Sequence, residues 1–131
     1  MIQAIIIDDE PGNIEVLKKM ITGFCEDIGI SGTAASVEEG IILIKERKPD
    51  LVFLDIEMPG RDGFTVCQKL REDADLKNIP VVILTSTSDP KLNEKAFKAG
   101  ADITAMKSLS AERLVNMIRL ALHKGKSAAG V

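Results

Sequence analysis

PDLVFLDIEMPGRDGF, residues 49–64, carries four apolar residues in unbroken succession, Leu51, Val52, Phe53 and Leu54, and the run stops at Asp55. Turn formers follow at once: Met58-Pro59-Gly60, then Asp62-Gly63. A short, wholly apolar run between turn signals predicts a strand covered on both faces, as in a parallel sheet. Asp55 then stands where that strand leaves the sheet, and open α/β sheets build their ligand sites at that edge. Asp55 is therefore the first candidate for chemistry.

Working outward, the pattern of a buried strand followed by an amphipathic helix repeats along the chain. Residues 3–7 are a first buried strand ending at Asp8-Asp9-Glu10, and Pro11-Gly12 turns the chain. Ile14, Leu17, Ile21 and Phe24 recur at helical spacing, which predicts one stripe against the sheet. A weaker strand is expected over residues 30–35, and Ser36-Val37-Glu38-Glu39 has the capping-box spacing of a helix start. After the central strand, Phe64, Cys67 and Leu70 mark a third helix. Residues 80–84 give a fourth strand running into Thr85-Ser86-Thr87-Ser88. Asp89-Pro90 is a helix entrance, and Gly100 is placed to stop that helix after Ala99. Residues 103–106 form a last short strand ending at Lys107. Ser110 caps a final helix in which Leu114, Ile118, Ala121 and Leu122 share a face. Residues 125–131 read as a short flexible tail or linker remnant, which leaves residues 1–124 as the domain. Five strands alternating with five helices predict a single α/β domain, a (βα)5 doubly wound parallel sheet of order 2-1-3-4-5 with right-handed crossovers.

Composition narrows the function classes. The 131 residues suit one core, and 45% hydrophobic with 28% charged residues argues against disorder. The formal charge of −3 supplies no electrostatic reason for direct nucleic-acid binding. Arg113, Arg119, His123, Lys124 and Lys126 are a local basic exception, read as complementing the dipole of the last helix. Cys25 and Cys67 lack metal-ligand spacing and lie in apolar helical patterns, as buried thiols of a reducing compartment do. With no leader pattern and no apolar run approaching about 18 residues, a soluble cytoplasmic protein without membrane association is expected.

In the predicted strand order the first and third strands are neighbours, so Asp8, Asp9 and Asp55 meet at one edge. Three crowded carboxylates repel and raise one pKa unless a cation intervenes. Mg²⁺, held by one or two carboxylates with waters and phosphate oxygens, suits the set; Ca²⁺ suits it less, since the spaced-oxygen loop of an EF-hand is absent. Thr85 adds a hydroxyl after the fourth strand and Lys107 an ammonium after the fifth. A carboxylate nucleophile, a metal site, a hydroxyl and a cation make a complete set for phosphoryl transfer through an aspartyl phosphate.

Over nearly its full length the chain resembles the receiver domains of bacterial two-component response regulators. IIIDDEP, LDIEMPGRDGF, VVILTS, AGAD and Lys107 carry the resemblance, and their order at successive strand ends is what makes it specific. It implies that Asp55 is the phosphoacceptor, charged by the phosphohistidine of a sensor histidine kinase or a phosphotransfer protein. It implies that Asp8, Asp9 and Asp55 hold Mg²⁺ with the backbone carbonyl of Glu57, that Thr85 moves toward the phosphoryl group and that Lys107 pairs with it. The chain is then a phosphoacceptor that promotes its own phosphoryl transfer and autodephosphorylation, not an enzyme acting on an external substrate. The switched surface is the fourth helix, fifth strand and fifth helix, read by an output domain, a target protein or a second copy in a homodimer. LVFLDIEMPG and residues 24–28 also resemble receivers joined to LytTR-type DNA-binding domains; no such domain occurs in these 131 residues.

Two positions depart from the family pattern. Ser108 follows Lys107 where proline is usual, and a cis bond there would cost about 2.5–4 kcal/mol. Thr104 stands where a switch aromatic is common, and Phe97 is expected in the core rather than as its substitute. These departures motivate an alternative: a degenerate receiver acting as a phosphorylation-independent interaction module. A haloacid-dehalogenase-like phosphatase, also built around an Asp nucleophile, is disfavoured because Glu57 replaces the second Asp of its motif and no cap insertion is evident.

Overall fold

The computed structural model describes residues 1–56, 63–86, 89–107 and 110–129, with side chains as far as residue 123. The central sheet is built from β1 (Ile2–Ile7), β2 (Ile28–Ala34), β3 (Leu51–Asp55), β4 (Val81–Thr85) and β5 (Ile103–Met106). All neighbouring strands are parallel, in the order β2-β1-β3-β4-β5, as the alternation of elements predicts. Five helices follow the strands in turn: α1 (Pro11–Phe24), α2 (Val37–Arg47), α3 (Phe64–Glu72), α4 (Pro90–Ala99) and α5 (Ala111–Ala129).

Strand alternation divides the core into two layers. Ile5, Ile7, Val52, Leu54, Val81 and Ile83 pack under α2, α3 and α4. Ala4, Ile6, Leu51, Phe53, Val82 and Leu84 face α1 and α5. Strands buried on both faces need apolar residues at every position, which is why β3 reads as an unbroken hydrophobic run. Helix ends carry the expected local chemistry. The Ser36 hydroxyl accepts the Glu39 N–H at 3.2 Å, and Glu39 Oε2 accepts the Ala35 N–H at 3.2 Å. The Asp89 carboxylate caps α4 through the Lys91 N–H, Gly100 closes that helix at φ 105°, and Ser110 Oγ accepts the Arg113 N–H at the start of α5.

Two expectations are corrected, and the last helix runs further than its spacing shows. Phe24 is exposed rather than part of the α1 stripe, because that helix ends on it; Leu17 and Ile21 are buried, with Ile14 and Met20 packed beside them. Phe97 is 70% exposed, since Ala96 and Ala99 are the α4 residues that face the sheet. Helix α5 continues through Gly125 to Ala129, so the stretch read as a tail begins within a helix. A single glycine costs a helix only about 1 kcal/mol, and alanines follow it.

Arg71 makes a long-range bracket that periodicity does not reveal. Its guanidinium donates to the carbonyls of Lys77, Ile79 and Gly100 and to Asp102 Oδ2, each at 2.8 Å. Asp102 Oδ2 also accepts the Val81 N–H at 2.8 Å. The end of α3, the start of β4 and the α4–β5 connection are thereby tied together. A second pair, Arg119 with Asp27, joins α5 to the start of β2 through two hydrogen bonds of 2.7 Å. Among the described residues no helix is long and apolar enough to cross a membrane.

Candidate functional site

The register of the sheet brings the acidic residues together. Ile7 pairs with Leu54, so Asp8 and Asp55 follow in the same rank, and Asp55 in turn pairs with Leu84. Both carboxylates share the strand parity of Ile6, Phe53 and Leu84, and so they leave the sheet toward the same side. Asp9 extends the row as the chain leaves β1. One carboxylate oxygen from each of Asp8, Asp9 and Asp55 lies within 4.8 Å of the others. Asp8 and Asp55 are buried, at 4% and 2% exposure, and Asp9 is half-buried.

Lys107 leaves β5 at this edge, its N–H donating to the Thr85 carbonyl at 2.8 Å. Its ammonium reaches back across β4 to Asp55 Oδ1 at 3.2 Å. Thr85 is 2% exposed at the end of β4, one residue beyond the Asp55–Leu84 rank. Asp8 Oδ1 accepts the Glu10 N–H at 2.9 Å, a turn that sets the entrance to α1. The capping and metal-binding readings of Asp8 are therefore compatible.

Burial pushes the Asp8 carboxyl from an ordinary 3.8 up to about 6. The charge of Asp55 and a hydrogen bond to it push the same way, whereas the Glu10 N–H and the Lys107 charge oppose the rise. A carboxyl pressed toward its neutral form by another carboxylate marks a site short of positive charge. Hard oxygen donors in this arrangement fit Mg²⁺, with Asp8, Asp9 and Asp55 as the side chains that would hold it.

Six sequence-derived site residues thus resolve as follows. Asp8, Asp9, Asp55, Thr85 and Lys107 come together at one edge. Glu57, expected to supply a backbone carbonyl, lies outside the described residues, as do Asp62, Thr87, Ser88 and the Lys107–Ser108 bond. Thr104 Oγ1 donates to Asn93 Oδ1 at 3.0 Å, joining β5 to α4 at the position where the family pattern has an aromatic ring. Sequence reading missed the apolar wall beside the carboxylates. Leu17, Met20, Leu84, Met106 and Leu114 line a cleft of about 100 Å³ that opens onto Asp8 and Lys107. The parity of Leu84, two residues after Val82, was the available signal.

A doubly wound parallel sheet with a carboxylate cluster, a hydroxyl and a lysine at its switch-point edge defines a class of α/β domain with an acidic site at the strand ends. The family model described as "Response regulator receiver domain" matches residues 4–119, and the chain belongs to that family. The DNA-binding response regulator MtrA of Mycolicibacterium smegmatis is 30% identical over 122 residues, covering 93% of this chain and 51% of that protein. The chain thus spans about half the length of the curated relatives it matches. A two-component response regulator from Clostridium difficile has TM-score 0.82 at 29% identity, covering 94% of this chain and 97% of that one. A chain of the CheX–CheY–BeF3–Mg²⁺ complex from Borrelia burgdorferi has TM-score 0.80 at 28% identity, covering 89% of this chain and 86% of that one.

Proposed function

We propose that this chain is a phosphorylation-dependent signalling switch in which Asp55 accepts a phosphoryl group from the phosphohistidine of a sensor kinase or phosphotransfer protein. The observation that carries the reading is the buried Asp55 carboxylate, 3.2 Å from the Lys107 ammonium and clustered with Asp8 and Asp9. In the transfer an Asp55 oxygen forms the new bond to phosphorus, the donor's P–N bond breaks, and the leaving imidazole takes up a proton. Lys107 stands beside the acceptor oxygen, where it offsets negative charge on the transferring group. Asp8 and Asp9 would hold Mg²⁺ together with Asp55, and the ion when bound neutralises the carboxylate cluster and the phosphoryl oxygens. That the relative from Borrelia burgdorferi was crystallised with BeF3 and Mg²⁺ supports the same chemistry here.

Thr85 is the hydroxyl that would follow the phosphoryl group, and its motion would pass through β4 to α4. The chain itself turns over no external substrate; it promotes its own phosphorylation and the hydrolysis of its aspartyl phosphate. The compartment this implies is the cytoplasm, in keeping with the two buried thiols Cys25 and Cys67. Response to the signal falls to an output domain, a target protein or a second copy.

The test is intact-mass spectrometry after incubation with acetyl phosphate and Mg²⁺. One phosphoryl group is expected on the parent and none on Asp55→Asn; labelling retained by Asp55→Asn overturns the assignment. The Thr104–Asn93 hydrogen bond supports a second reading, a phosphorylation-independent interaction module, because a hydroxyl occupies the usual aromatic position. An intact protein that neither binds Mg²⁺ nor takes up phosphate would establish it.

A further inference from the structure

Helices α3 and α4 leave an open groove of about 410 Å³ between them, on the opposite side of the sheet from α1 and α5. Lys91, Lys95 and Lys98 stand along its α4 wall at spacings of four and three residues, which puts them in one stripe. Phe64, Thr65 and Gln68 form the α3 wall. Among the groove's described residues Glu94 is the single acid, and its Oε1 lies 3.1 Å from Lys98 Nζ. Lys95 Nζ sits 5.0 Å from the centroid of the Phe64 ring, so that ammonium is turned across the groove.

The ordinary explanation of a lysine on a helix, complementing the dipole, holds for Lys98 in the last turn of α4 and fails for Lys91. Lys91 lies in the first turn, where a cation is at the unfavourable end. The stripe is a basic patch on a chain of net charge −3, and local charge of one sign against an opposite background selects its partners.

We infer that the α3–α4 groove binds an extended acidic segment of a partner protein. Lys91 and Lys95 are about 6 Å apart along the helix axis. Alternate side chains of an extended strand point the same way, about 7 Å apart. Carboxylates at alternate positions of such a segment therefore meet Lys91 and Lys95, and the residue between them turns to the α3 wall. Nucleic acid fits less well. The stripe is only about 10 Å long, enough for few phosphates, and Phe64, at 5% exposure, offers no stacking platform for bases.

The probe is a short fluorescein-labelled peptide with glutamate at alternate positions and valine between, titrated by anisotropy with the unphosphorylated chain in EDTA. Without phosphate or metal, the outcome is independent of the role given to Asp55. Binding is expected at low salt and weakened by added salt. Lys91→Glu/Lys95→Glu should weaken it on the order of tenfold or more, and Lys45→Glu/Lys77→Glu on other faces should leave it unchanged. Lys91→Gln/Lys95→Gln serves if the charge reversal disturbs folding, and should weaken binding by a smaller factor in the same direction. The inference is overturned if the peptide does not bind, if the two charge-reversed pairs weaken it equally, or if an oligothymidine binds more tightly than the peptide.

Discussion

Replacing Asp8 by asparagine removes one negative charge from the carboxylate cluster and keeps the oxygen that accepts the Glu10 N–H. The new amide can donate toward Asp55, which already has Lys107 at 3.2 Å. In the metal-free protein the Asp8 carboxyl is raised from 3.8 to about 6, chiefly by burial and next by Asp55. The folded state therefore holds this proton to higher pH than the unfolded chain does. Its stabilising contribution is complete below 3.8 and is lost as pH rises through about 6. A rise of about two units corresponds to about 3 kcal/mol, and at 4% exposure Asp8 has little solvent to screen it. The parent without metal should thus forgo about 3 kcal/mol at pH 7.5, and Asp8→Asn should recover about 2–3 kcal/mol of it. Urea unfolding in EDTA at pH 7.5 and pH 4.5 measures both values. The advantage of the variant should be large at the higher pH and shrink at the lower. Added Mg²⁺ should stabilise the parent at pH 7.5 and the variant far less, because the variant has lost one of the anionic carboxylates of the cluster. An Asp8→Asn protein no more stable than the parent at pH 7.5, or an advantage that does not shrink with acid, would refute the account of the cluster.

Gly63→Ala should cost about 1–3 kcal/mol in urea unfolding and lower phosphoryl uptake. An added Cβ would sit 2.9 Å from both the Asp55 carbonyl oxygen and the Ile56 Cα, backbone atoms with no room to yield. Arg71→Leu should destabilise by about 2–4 kcal/mol, since it strands three carbonyls and the Asp102 carboxylate. Arg71→Lys should recover little, because one ammonium cannot reproduce the planar fork; equal stability of parent and Arg71→Leu would dismiss the bracket. The Asp27 carboxyl is held near 2, first by its hydrogen bonds to Arg119. A depressed carboxyl of this kind stabilises the fold above its ordinary value and loses that contribution as pH falls toward 2. An NMR titration should find Asp27 returning toward the ordinary carboxylate range in Arg119→Gln, and an unmoved midpoint would show that another group sets it.

The site was legible because each of its members ends a strand. Asp8-Asp9, Asp55, Thr85 and Lys107 each follow an apolar run, and polar residues in that position are visible without any knowledge of pairing. Caps were legible for a related reason. The Ser36, Asp89 and Ser110 side chains act within three residues of themselves, so spacing alone reveals them. Burial of single helix residues was less so. Phe24 and Phe97 fall at plausible helical spacing, but both are exposed, because the angle at which a helix meets the sheet decides which flank is covered.

Interactions between segments distant in the chain left no local signature. Arg71 gathers carbonyls from Lys77, Ile79 and Gly100 with the Asp102 carboxylate, and nothing in the sequence around it announces those partners. The Arg119–Asp27 pair spans most of the chain, and the lysine stripe of α4 becomes one wall of a groove only when α3 is packed beside it. Local chemistry, in the form of buried strands, capped helices and polar strand ends, was enough to specify the parallel sheet, its order and the residues at its acidic edge. Tertiary packing decided the rest: that Lys107 reaches Asp55, that Asp8 is buried deeply enough to hold its proton to about pH 6, and which helix faces meet water. Those outcomes depend on distances and desolvation between segments, and linear spacing does not encode either.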